Sequence, residues 1–173
     1  MTTHKNYILL GLCVAFFIFT VLIGSQSLTS IEVRFSGNQK EHRDKYIPMM
    51  NPEEMAPDYM LQVKLNESWK TVGSYSNQSI GTSVMKFTIN EAIPTRLIGG
   101  IRLLDDDLME DDVLEVVEFS EGTIKGKNYS FNVIFGYTLF AGLTFFWMTY
   151  VGKAILVGIS IVVVMIFLSA LSL

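Results

Sequence analysis

Apolar residues crowd both ends of this chain with almost no charge among them, and this segregation limits its folds more than any motif does. Residues 31–130 hold all 17 acidic residues and 11 of the 13 Lys and Arg, a net of −6 against −4 for the whole 173-residue chain. Only Lys5 and Lys153 are left for the flanks. Half of the residues are hydrophobic and mean hydropathy is +0.37, more apolar side chain than a water-soluble domain of this size can hide. The flanks therefore ask for a second solvent, and the bilayer supplies one. A composition this apolar, with 17 % charged residues, argues against a disordered segment and against nucleic-acid binding through basic patches.

The first apolar stretch, Tyr7 to Gly24, is 18 residues without a charge. At about 1.5 Å per residue it covers roughly 27 Å of hydrocarbon. Its length favours a retained anchor. A cleaved secretory signal is the alternative, with small residues for cleavage between Ser25 and Ser30. Two further stretches, Phe131 to Tyr150 and Ala154 to Leu173, are joined by Val151-Gly152-Lys153, a link that predicts an antiparallel helical hairpin. The chain thus divides into residues 1–30 (tail and first transmembrane helix), 31–130 (an extramembrane domain) and 131–173 (a transmembrane hairpin).

Three crossings would put Lys5 and Lys153 on one side and the acidic middle on the other. The positive-inside rule then places the N-terminus in the cytoplasm and the domain in a periplasmic or lumenal space, at the inner or plasma membrane if the cell is bacterial. Gly11/Ala15 and Ala154/Gly158 have the four-residue spacing that lets helices approach closely, although small residues also serve as lipid-facing filler. No Asp, Glu, Lys, Arg or His interrupts the three stretches, which argues against a transporter or channel built from this chain alone.

Between the flanks the pattern has period two. Met60-Leu61-Gln62-Val63-Lys64-Leu65 and Val84-Met85-Lys86-Phe87-Thr88-Ile89 alternate apolar with polar, as does part of Leu114 to Phe119. Ile31 to Phe35, Trp69 to Tyr75, Leu97 to Leu104 and Ile124 to Val133 complete the strand candidates, the last running on into the second apolar stretch. Turn residues separate them at Asn66-Glu67-Ser68, Ser76 to Ser79, Glu91 to Thr95 and Glu121-Gly122. Gly99-Gly100, inside a strand pattern, predicts a β-bulge. The expected fold is an α+β membrane protein, with three transmembrane helices and a central antiparallel β-sandwich.

Several of these segments resemble C2 domains. Pro57-Asp58-Tyr59 followed by Leu61 to Leu65 is similar to the family's opening strand, and Trp69-Lys70-Thr71 to the strand after it. Ile101 to Leu104, leading into Asp105-Asp106-Asp107 and then Glu110-Asp111-Asp112-Val113-Leu114, is similar to the family's strand and acidic loop, with Glu115 where the family has a glycine. The resemblance spans residues 58–119. It implies an eight-stranded antiparallel sandwich whose loops at one end bind calcium, lipid headgroups or a protein. By position it carries calcium-ligand roles onto Asp58, Asp105, Asp107 and Asp111.

Six carboxylates within residues 105–112 are the one local concentration of chemistry in the chain. Ca²⁺ takes six to eight oxygens, and a carboxylate-rich loop offers them. The same loop also reads as a solvated acidic surface, or as a dock for a basic partner, and the three readings stand side by side. Catalysis finds no foothold: His4 and His42 sit in polar segments, Cys13 lies in the first apolar stretch, and no phosphate loop or nucleophile motif occurs. The expectation is a non-enzymatic membrane protein, an accessory, assembly or docking subunit whose partners are the bilayer and other membrane proteins, with no small-molecule substrate inferred. A calcium-responsive tethered sensor and a membrane immunity or exclusion protein are the alternatives.

Overall fold

A computed structural model describes residues 2–37, 56–81, 83–106 and 112–171. Backbone contacts divide the chain into two units. One is formed by Met1–Ser27, Ala92–Arg96 and Tyr137–Leu173, the other by Leu28–Glu91 and Leu97–Gly136.

The second unit is built on eight strands: β1 (Gln26–Phe35), β2 (Tyr59–Leu65), β3 (Ser68–Tyr75), β4 (Met85–Pro94), β5 (Ile98–Asp105), β6 (Asp112–Glu118), β7 (Gly122–Lys125) and β8 (Tyr129–Tyr137). They form two four-stranded sheets, ordered β4-β1-β8-β7 and β3-β2-β5-β6. The alternation read from the sequence decides which residues face inward. Tyr59, Leu61 and Val63 on β2, Ile101 and Leu103 on β5, Ile31 and Val33 on β1, and Phe131 on β8 are fully buried. Each such side chain contributes on the order of 1.5–3 kcal/mol by leaving water. Tyr59 and Tyr129 meet edge to face within this core, their hydroxyls 3.3 Å apart.

Local chemistry fixes the turns. Asn66 and Glu67 alone join β2 to β3, and Asn66 takes a left-handed φ of +54°, which asparagine tolerates better than most residues. The expected bulge is present at the glycine pair: Gly100 pairs with Lys64 and Ile98 with Leu65, leaving Gly99 as the extra residue.

The stretch Phe131 to Tyr150, expected to be one apolar helix, divides between strand and helix. Its first seven residues belong to β8, where Phe131 and Val133 are buried and Ser130 and Asn132 alternate with them. The helix that follows, α2 (Leu139–Met148), has 10 residues, about 15 Å of length. Thr138 starts it by accepting the Phe140 N–H on its side chain, and Thr149, with extended backbone, ends it.

The helical unit contains α1 (Thr2–Ile23), α2 and α3 (Tyr150–Leu171). Val21 of α1 lies against Gly142, Phe17 against Phe146, and Cys13 beside Gly158. Contacts that move toward the N-terminus of α1 therefore move toward the C-terminus through both α2 and α3. The two later helices run the same way against α1, as one helix broken at Thr149, and the expected hairpin at Val151-Gly152-Lys153 is not formed. Those three residues lie in the first turn of α3. Less exposed positions recur along α1 at Leu10, Cys13, Phe17 and Thr20, and along α3 at Gly152, Ile155, Ile159, Val162 and Ile166. This is the three-four spacing of a helix seam. Of the expected pairs, Gly158 lies against α1 beside Cys13, and the tightest approach to α1 is made by a glycine outside them, Gly142. A side chain at Gly142 would collide with the Val21 carbonyl oxygen, whereas Gly11 has nothing within 4 Å.

Candidate functional site

Antiparallel pairing of β2 with β5 sets Tyr59 opposite Asp105, so Asp58 lies one residue beyond the paired ends. Asp105 is fully buried, and its Oδ1 accepts the Asp58 N–H at 2.7 Å. The Asp58 carbonyl accepts the Asp106 N–H at 2.8 Å. Asp58 Oδ1 in turn accepts the N–H of Asn77, which follows β3 with a left-handed φ of +52°. Gln78 closes the knot by donating its N–H to the Pro57 carbonyl. Two acidic side chains separated by 47 positions thus cap the ends of three strands with backbone hydrogen bonds.

The fold brings Asp58 and Asp105 together out of the four acidic positions singled out in the sequence. Asp107 and Asp111 lie outside the described residues, as does His42. Among the described residues no group of three or more His, Cys, Asp or Glu is placed to hold a metal ion.

Glu115, set where C2 domains have a glycine, also binds backbone. Its Oε2 accepts the N–H of Asn128 at 2.8 Å and that of Tyr129 at 3.3 Å, reaching from β6 to the turn between β7 and β8. A side chain at Gly126 would lie 2.6 Å from the Glu115 carboxyl carbon, so the turn is closed over this carboxylate.

A second feature, on the outer face of the β1-β8-β7 sheet, is one that the sequence motifs miss. An open groove of about 620 Å³ is lined by Glu32, Arg34, Lys125, Lys127, Ser130 and Asn132, among others. Arg34, Lys125 and Lys127 belong to none of the motifs read from the sequence. The outward half of the same alternation, Glu32 and Arg34 on β1, Thr123 and Lys125 on β7, Ser130 and Asn132 on β8, is the signal that could have found it.

On fold and site together, the described residues form an α+β chain of two antiparallel sheets and three α-helices, one of them long and apolar enough to cross a membrane. The chain matches no protein-family model, and no curated protein matches it significantly.

Proposed function

We propose that this is a non-enzymatic integral membrane protein that presents a C2-like β-sandwich at a bilayer surface as an accessory, assembly or docking subunit of a larger membrane complex. The observation that carries the proposal is the outward surface of α1 and α3. Ile8, Phe16 and Phe19 on one helix, and Val157, Ile161 and Phe167 on the other, are each more than half exposed. Water would penalise an apolar surface of this extent, and acyl chains would not. Tyr150–Leu168 within α3 has the 19 residues a crossing needs, and the apolar Tyr7–Ile23 of α1 reaches about 26 Å. The shorter α2 does not. On this reading the chain crosses twice, through α1 and α3, where the sequence suggested three crossings, and the opposed run of the two helices has both chain ends on one side. With Lys5 on that side, the termini are cytoplasmic and the sandwich periplasmic or lumenal. Two residues separate α1 from β1 and one separates β8 from α2, so the sandwich is held on short tethers.

Membrane fractionation and single-cysteine labelling test this together, with Cys13 replaced by Ser. Ser36→Cys should react with an impermeant reagent from outside the cell membrane, and Thr3→Cys and Ala170→Cys only after permeabilisation. Recovery of the chain in the aqueous supernatant would overturn the membrane reading, and Ala170→Cys reacting alongside Ser36→Cys would overturn the two-crossing arrangement. Blue-native electrophoresis in mild detergent should show migration with partners; a lone monomer would sink the subunit role.

The bond from the Asp58 N–H to the Asp105 carboxylate favours a second reading, a calcium-responsive tethered sensor, because it brings together two of the four positions carried over from C2 domains. Millimolar Ca²⁺ should then raise the Tm of the detergent-solubilised chain by mass action. No rise, or the same rise in an Asp107→Asn, Asp111→Asn double variant, removes this reading.

A further inference from the structure

We propose that the outer face of the β1-β8-β7 sheet is an oxyanion-binding site for a phosphate group, held by Arg34, Lys125 and Lys127 above Ser130. The register of the sheet builds it. On the β1 side Glu32 meets Asn132, whose amide donates to the carboxylate at 3.1 Å, and Ser36 donates its N–H to the Asn128 carbonyl. Antiparallel register between those two pairs sets Arg34 opposite Ser130. On the other side Ser130 pairs with Lys125. One row across three strands is therefore Arg34, Ser130, Lys125, with the backbones of the two cationic residues two strand spacings, about 10 Å, apart and a short hydroxyl side chain between them. Lys127, in the turn that follows, lines the same groove.

The neighbouring row shows what a satisfied arrangement looks like. Glu32 there is approached by Lys86 at 4.0 Å and bonded by Asn132, and Thr123 donates to the Asn132 amide oxygen at 3.4 Å. Among the described residues none of Arg34, Lys125 and Lys127 has an ion-pair partner. Three cations with no ion-pair partner among the described residues line one groove in a region, residues 31–130, whose net charge is −6. A guanidinium and an ammonium flanking a hydroxyl match the geometry of a phosphate group, which accepts from all three. The groove is large enough for an organic portion as well, and the Glu32-Asn132 row beside it suits hydroxyl groups on that portion. The ligand class is thus a phosphorylated, hydroxyl-bearing molecule, either soluble or a lipid headgroup. Arg34 is eight residues along β1 from Gln26, about 27 Å of strand, so the row sits at the end of the sheet away from where β1 begins.

Titration calorimetry of the full chain in neutral maltoside at low salt, with inorganic pyrophosphate as the probe, tests the site. Saturable binding should weaken about tenfold or more in Arg34→Gln and in Lys125→Gln, and stay unchanged in Lys64→Gln on the other sheet. Absence of saturable binding, wild-type affinity in both groove variants, or an equal loss in Lys64→Gln would each overturn the proposal. The unliganded Tm of each variant, expected to match wild type, shows that a loss of binding is not a loss of fold. Repeating the titration in nanodiscs assigns the source. Affinity unaffected by anionic lipid points to a soluble ligand, and competition by anionic but not zwitterionic lipid points to a headgroup. The site itself stands whether or not the chain proves to be a complex subunit.

Discussion

Glu115 and Asn128 sit on strands and turns of different sheets, and the 2.8 Å bond from the Asn128 N–H to the Glu115 carboxylate joins them. The same oxygen takes the Tyr129 N–H, immediately before the buried run of β8. Glu115→Ala leaves both amides without this acceptor and should destabilise the sandwich by about 1–2 kcal/mol, the lower part of the range for charge-assisted bonds because the side chain is half-exposed. Glu115→Gln, which keeps an acceptor oxygen, should lose less. Urea unfolding in neutral detergent, followed through Trp69 in a Trp147→Phe background, measures both.

Asp105 provides a second anchor of the same kind, this time buried. Asp105→Ala deprives the Asp58 N–H of its acceptor inside the fold, a loss of about 1–3 kcal/mol. Asp105→Asn retains an oxygen for that bond and should fall between the alanine variant and wild type in the same unfolding experiment. Equal stability of Asp105→Ala and wild type would remove the strand-end cap described here.

Phe131 and Phe140 separate the strand from the helix. Phe131 is completely buried and Phe140 is 73 % exposed. Truncating Phe131 to Ala should cost about 3–5 kcal/mol of sandwich stability. Phe140→Ala should leave the sandwich transition unchanged. Indistinguishable transitions would mean that β8 ends before Phe131.

Gly142 and Gly11 make the corresponding comparison among the helices. Leucine at position 142 must push against the Val21 backbone, and overpacking of this kind costs about 1–3 kcal/mol. Gly11→Leu meets open space. Thermal unfolding in detergent, read by far-ultraviolet circular dichroism, should show a lowered transition for Gly142→Leu alone.

Strands β2, β3 and β5 were legible, lying within a residue of where Met60–Leu65, Trp69–Tyr75 and Leu97–Leu104 placed them, whereas Ile124–Val133, read as one strand, is divided between β7 and β8 by a turn at Gly126 to Asn128. The boundary near Phe131 was not legible. Tyr129-Ser130-Phe131-Asn132-Val133 alternates as a strand does, yet Phe131 onward also begins a run apolar enough for a helix. Only the placement of Phe131 and Val133 in the sandwich core separates the two periodicities. Similarly, Glu115 looked like a departure from a family pattern, and its use as an acceptor for two amides depended on a turn arriving from another sheet.

Charge segregation and period-two patterning settled by themselves that this chain has apolar helical flanks around a polar, antiparallel β core, because burial of side chains at fixed spacing is a local property of the chain. The tertiary structure alone decided that α2 continues into α3 against α1 instead of folding back, and that Arg34, Ser130 and Lys125 form one row. Both are consequences of register, which is set by backbone hydrogen bonds and close packing between segments distant in sequence, and no local pattern encodes it.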